Sequence, residues 1–171
     1  MADRNKLQKV AIRLVKDGSV ISDHPINSPE DAVSVMGEYL KEMDRELVCA
    51  INLKSNGIPI NCTVVSIGSI SAAIVEPREV FKAAILSNAS GIILMHCHPS
   101  GSLVPSKEDM KVTERLLCAG KLLGIDVLDH VIVGAGTPGF YSFKSEDVLP
   151  RYNKDTESFL VARKVAVNPE R

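Results

Sequence analysis

The sequence contains no tryptophan and only three tyrosines and four phenylalanines, so aromatics make up 4% of it. A single-strand-binding surface, which stacks bases on aromatic rings, has little to be built from. Nor is there a surplus of positive charge: 20 basic side chains face 21 acidic ones, for a net charge of −1 with neutral histidines. Nucleic-acid binding would therefore have to come from a local patch. No apolar run approaches the roughly 18 residues that suggest a membrane span. Met1 to Lys9 is polar and lacks the apolar core of a signal peptide, so the expectation is a cytoplasmic protein away from membranes. Cys49, Cys62, Cys97 and Cys118 each stand alone in apolar segments. Without paired C-x-x-C spacing or the density of a secreted disulfide scaffold, they read as buried thiols. Internal repeats and low-complexity segments are absent as well.

What is present is the composition of one soluble domain. The chain has 171 residues, with 45% hydrophobic and 24% charged side chains, close to the averages of globular domains. The pattern divides into an N-terminal edge segment over residues 1–27, a central domain over 28–149 and a polar tail over 150–171. Val10 to Val15 is β-branched and closed by Asp17-Gly18-Ser19, which predicts an edge strand and a turn, paired with Val20-Ile21. Ser28-Pro29-Glu30-Asp31 supplies a cap, a proline and first-turn acids to a helix marked by Ala32, Val33, Met36, Leu40 and Met43.

Glu46 to Leu53 and Ile58 to Ile67, joined across Asn56-Gly57, predict a β-hairpin. Pro77 opens a second helix to about Ser87. Gly91 to Met95 is continuously apolar, as expected of a strand buried on both faces. After a loop from Pro99 to Pro105, Ser106 caps a third helix that ends near Leu123 at Gly124. Ile125 to Val133 is a further strand and Phe140 to Phe143 a short last one, and Thr156 to Val165 is a helical candidate in the tail. Mixed strands and helices with a hairpin among them point to an α/β fold, a three-layer α/β/α arrangement around a mixed sheet.

The chemistry is concentrated in His96-Cys97-His98-Pro99 and in Ser106 and Asp109 beyond the loop. If the strand continues through His98, both histidines project from one face and can reach one ion, while Cys97 points to the other. Asp109, in the first turn of the third helix, can return as a third ligand. Two histidines and a carboxylate leave a fourth position for water, the pattern of catalytic zinc. Each part also has a plain reading. His-x-His can be two hydrogen-bonded histidines, and Ser-x-x-Asp is a variant of the capping box. His130, inside an apolar strand, reads as a hydrogen-bonded structural residue.

Taken together, His-x-His-Pro, six residues, Ser, two residues, Asp, matched at His96, His98, Pro99, Ser106 and Asp109, resembles the motif of the JAMM metalloproteases. Glu76 to Lys82, His98-Pro99-Ser100-Gly101, Pro105-Ser106 and Leu128-Asp129-His130 are similar to the RadC branch of that superfamily. The resemblance covers residues 28–149. It implies a JAB/MPN-like, cytidine-deaminase-like fold and a zinc ion held by His96, His98 and Asp109. It also implies an upstream glutamate acting on the bound water and Ser106 as an oxyanion donor. Glu46 matches that glutamate best, with Glu42 and Glu76 as competitors.

Two features depart from the pattern. Cys97 stands where RadC-like sequences usually carry Asn, and strand alternation makes it a buried thiol. No helix-hairpin-helix region of the kind many RadC proteins carry precedes the JAMM-like segment, which weakens an implied role in DNA repair. The leading expectation is a zinc-dependent metallopeptidase or isopeptidase acting on a protein or peptide substrate. The alternative is a RadC-type accessory protein of DNA repair or mobile elements that acts by binding DNA.

Overall fold

Helix α1, Pro29–Lys41, begins where the cap chemistry is complete: the Ser28 hydroxyl accepts from Asp31 N–H, and the Asp31 carboxylate accepts from Ser28 N–H. Such a reciprocal cap satisfies two of the free donors at a helix start. In the computed structural model, residues 24–68 and 75–149 are described, together with 11, 13–19 and 22. The remaining elements are β1 (Leu47–Leu53), β2 (Pro59–Ile67), α2 (Pro77–Leu86), β3 (Gly91–His98), α3 (Lys107–Leu123), β4 (Asp126–Gly134) and β5 (Tyr141–Ser142). No helix among the described residues is long and apolar enough to cross a membrane.

The strands form one mixed sheet in the order β2-β1-β3-β4-β5. β1 is antiparallel to β2 and to β3, β3 is parallel to β4, and β4 is antiparallel to β5. The parallel pair needs a crossover, and α3 supplies it. α1 packs on one face, through Ala32, Met36 and Leu40 against Cys49, Ile51, Ile93, Met95, Val131 and Val133. α2 and α3 cover the other, where Val80, Phe81, Leu116 and Leu117 meet Val48, Ala50, Ile92, Leu94 and Ile132. This is the three-layer α/β/α architecture. Each fully buried side chain of this size contributes about 1.5–3 kcal/mol of transfer free energy.

β3 is the central strand, buried along its whole length, and its two-residue alternation sorts its side chains. Ile92 and Leu94 face α2 and α3, whereas Ile93, Met95 and Cys97 face α1. His96 and His98 continue the even-numbered row. Cys97 is fully buried on the opposite face, and burial raises its thiol pKa, consistent with an inert thiol.

The expected edge strand at Val10 to Val15 is corrected: Ala11 and Arg13–Val15 carry no strand, and Leu14 and Val15 are exposed. β-branched residues favour a strand only where a partner and a buried face are available. Val10, Ile12, Val20 and Ile21 lie outside the described residues, as does the helical candidate Thr156 to Val165. The last strand is confined to Tyr141–Ser142. Beyond it the chain turns so that the Ser142 hydroxyl and Lys144 N–H both donate to the buried Asp129 carboxylate, at 2.6 and 3.0 Å.

Burial raises the pKa of Asp129 above 3.8 despite these bonds and a third from His130 N–H. A carboxyl shifted this way contributes stability that is complete below its unfolded pKa and lost as pH rises through its folded one. Asp129→Asn should therefore gain stability relative to the wild type as pH rises from about 4 toward neutrality. Urea denaturation across that range checks it, and a constant difference would contradict it.

Candidate metal centre

Three elements bring the site together. β3 delivers His96 and His98 from one face at its C-terminal end. The loop 99–105 reverses the chain, and the first turn of α3 delivers Asp109. That turn is built by a second reciprocal cap: Asp109 N–H donates to the Ser106 hydroxyl oxygen at 3.1 Å, and Asp109 Oδ2 accepts from Ser106 N–H at 2.6 Å. The cap and the third-ligand reading thus coexist, because capping fixes the carboxylate in place.

The His96 and His98 ring nitrogens and an Asp109 carboxylate oxygen offer ligand atoms that lie within 4.8 Å of one another. His96 Nε2 is 3.5 Å from Asp109 Oδ1, and His98 Nε2 is 3.4 Å from Asp109 Oδ2. Donors in tetrahedral array at about 2.1 Å from one zinc ion stand about 3.4 Å apart, so the spacing fits. The donor chemistry fits too. His98 Nδ1 lies 2.8 Å from the Ser102 carbonyl, which can only accept, so Nδ1 carries the proton of the neutral ring and Nε2 its lone pair. That lone pair faces a carboxylate, an arrangement that draws in a cation.

The electrostatics follow. Burial lowers the His96 pKa to about 4, more than Asp109 raises it, so the ring is neutral at physiological pH. Contact with Asp109 raises the His98 pKa, with burial opposing and Glu46 adding a smaller upward push. Burial would raise the Asp109 pKa, but His98, His96 and the Ser106 hydroxyl and amide outweigh it and hold the carboxyl well below its ordinary range.

A cavity of about 180 Å³ opens over these groups, and Glu46, His96, His98, Ser106, Glu108 and Asp109 lie on its wall. Glu46 directly precedes β1. Of its competitors, Glu42 caps the C-terminus of α1 and Glu76 pairs with Arg115 at 2.9 Å; neither lies on the cavity wall. The Ser106 hydroxyl is also engaged with the carboxylate, donating to Asp109 Oδ2 at 2.7 Å.

His130 is fully buried, with its ring stacked on Phe143 at a centroid distance of 4.6 Å. Burial pushes its pKa well down, so it too is neutral. It lies outside the cluster of His96, His98 and Asp109 and makes hydrogen bonds, as its place in an apolar strand suggested. Sequence reasoning missed Ser102, Thr113, Glu108 and Asp129. Thr113 stands four residues after Asp109 on the same helical face, and Asp129 is an acid inside an apolar strand; both were available signals.

An α/β/α domain with two strand histidines and a capped helix aspartate around one cavity is, by fold and donor set, a domain of the JAB type able to hold a metal ion. The family model for the RadC-like JAB domain matches residues 26–148, and the chain belongs to that family. It is 47% identical over 127 residues to a UPF0758 protein of Caldanaerobacter subterraneus subsp. tengcongensis, covering 70% of this chain and 54% of that protein. It is 45% identical over 121 residues to a UPF0758 protein of Methanosarcina mazei, covering 71% and 52%. A UPF0758 protein of Methanococcoides burtonii is 43% identical over 139 residues, covering 80% and 60%. The chain thus spans about half the length of the first two.

The loop that fixes His98 rests on a backbone contact between Gly101 and Gly134. A Cβ at Gly134 would lie 2.5 Å from the Gly101 carbonyl oxygen, closer than any real contact. Gly134→Ala should therefore displace the loop, cost about 1–3 kcal/mol as overpacking and weaken metal binding through His98. Urea denaturation beside a metal titration checks this; unchanged stability and affinity would contradict it.

Proposed function

We propose that this domain is a zinc-dependent hydrolase of amide bonds, of metallopeptidase or isopeptidase type, acting on a protein or peptide substrate. The observation that supports it best is the convergence of His96, His98 and Asp109 on a cavity whose wall also carries Glu46 and Ser106. His96, His98 and Asp109 would hold the ion, and three protein donors are the number found in catalytic rather than closed structural zinc sites. Zinc, when bound, acts as a Lewis acid that lowers the pKa of its water from about 15.7 to about 7.

The remaining work falls to the protein's own groups. Glu46 takes the proton of the attacking water and returns it to the leaving amine, the paired base and acid roles of one carboxylate. Ser106 can turn its hydroxyl from Asp109 toward the developing oxyanion, because Ser106 N–H still holds Asp109 Oδ2 at 2.6 Å. One such donor is worth about 10²–10³ in kcat. His98 is kept in place by Ser102, and Asp109 by the cap it shares with Ser106.

The test is cleavage of a peptide library by zinc-loaded protein, read by mass spectrometry. Cleavage should be abolished by a chelator and restored by zinc. Glu46→Gln should retain zinc and lose about 10²–10⁴-fold in rate. Absence of cleavage by the zinc-loaded wild type, together with salt-dependent binding to branched DNA that ignores chelator, would overturn the proposal in favour of a DNA-binding accessory role.

A further inference from the structure

From His96, a line of buried polar groups runs through His130, which also lies on the cavity wall, into α3. His96 Nδ1 lies 3.0 Å from His130 Nε2. His130 Nδ1 lies 2.7 Å from the Thr113 hydroxyl. That hydroxyl lies 2.7 Å from the Asp109 backbone carbonyl. His96, His130 and Thr113 are 3%, 1% and 0% exposed, so water does not supply alternative partners and each proton must be placed within the line.

The direction of the line follows from its last member. A carbonyl oxygen only accepts, so the single hydroxyl proton of Thr113 is committed to Asp109. The Thr113 oxygen is then an acceptor, and the nitrogen facing it, His130 Nδ1, carries the proton. A neutral imidazole has one N–H, which leaves a lone pair on His130 Nε2. His96 Nδ1 must donate to that lone pair, and the remaining lone pair of His96 stands on Nε2, the atom 3.5 Å from Asp109 Oδ1. Within the line, where the contacts are 2.7–3.0 Å, reversing any proton places two N–H groups or two lone pairs head to head. The one lone-pair contact left, His96 Nε2 against Asp109 Oδ1, is the longer one at 3.5 Å and the one that a cation relieves.

We propose that Thr113 and His130 form an oriented relay that fixes His96 in the tautomer whose Nε2 lone pair faces the metal cavity. His130 is thus a positioning residue and not a fourth ligand. The inference rests on the metal-centre reading for its purpose, but the tautomer itself is a property of the metal-free protein. It also gives Asp109 a second part in the site: its side chain is a ligand candidate, and its main-chain carbonyl sets the protonation of another ligand candidate through two intervening side chains. Outer partners of ligating histidines fix ring orientation and tautomer, and their loss commonly weakens metal affinity about 10–100-fold.

Thr113→Val tests this without touching the cavity, since it keeps the side-chain shape and removes only the hydroxyl. Without that acceptor, the His130 proton moves to Nε2, and His96 is driven to carry its own proton on the ligating nitrogen. Nitrogen-15 NMR of the histidine rings in the metal-free full chain reads the tautomers. Zinc affinity is measured by competition with a chromophoric chelator. The wild type and Thr113→Ser should show His96 protonated on Nδ1. Thr113→Val should shift it toward Nε2–H and weaken zinc at least about tenfold. His130→Phe, which keeps the stacking on Phe143, should weaken zinc comparably.

A wild-type His96 protonated on Nε2, or a Thr113→Val tautomer identical to the wild type, would overturn the relay. A tautomer shift with zinc affinity unchanged within about twofold would overturn its positioning role. Failure of the wild type to bind zinc would count against the metal-centre reading alone, because the tautomer comparison decides the relay without metal.

Discussion

Two imidazole lone pairs and a carboxylate meet at 3.4–3.5 Å in a half-enclosed cavity, and groups of that kind repel unless a cation or proton lies between them. The surrounding structure holds them there. In water the three side chains would separate and solvate. Here each is immobilised by a neighbouring group: His98 by the Ser102 carbonyl, His96 by His130, and Asp109 by both the amide and the hydroxyl of Ser106. The site is preorganised in the sense that its ligand atoms are paid for by folding before any ion arrives.

The fold supplies this through ordinary means. Alternation along β3 puts His96 and His98 in one row, and pairing with β1 as far as Cys97 and with β4 through His98 holds that row in place. The crossover from β3 to the parallel β4 requires a helix, and the start of that helix is where Asp109 stands. A helix N-terminus favours a carboxylate even without a metal, through its free N–H groups and its dipole. Capping chemistry and ligand chemistry therefore ask for the same residue in the same place. Gly134 allows the intervening loop to fold tightly onto the end of the strand.

Much of this was legible in the sequence. The proline and cap at Ser28-Pro29, the Asn56-Gly57 hairpin, the apolar run before His96 and the stop at Gly124 mark the main elements, because each is a local rule with a local cause. The His-x-His and Ser-x-x-Asp spacings mark the ligand candidates and the cap. What was not legible depends on contacts distant in sequence. Val10 to Val15 reads as a strand by composition, but Leu14 and Val15 find no packed face. Ser102 and Thr113 look unremarkable until the loop and α3 set them against two histidines. His130 was recognisable as a satisfied buried histidine, but not as the partner of His96, because that pairing exists only through the register of β3 and β4.

The central claim is that this arrangement is a cation site and not a set of satisfied polar side chains. Elemental analysis of purified, untagged protein beside His98→Ala tests it most directly. The account predicts about one zinc per chain in the wild type, the occupancy of a three-ligand site, and its loss in the variant. A metal-free wild type that takes up none on adding zinc, or a variant that retains it, would contradict it.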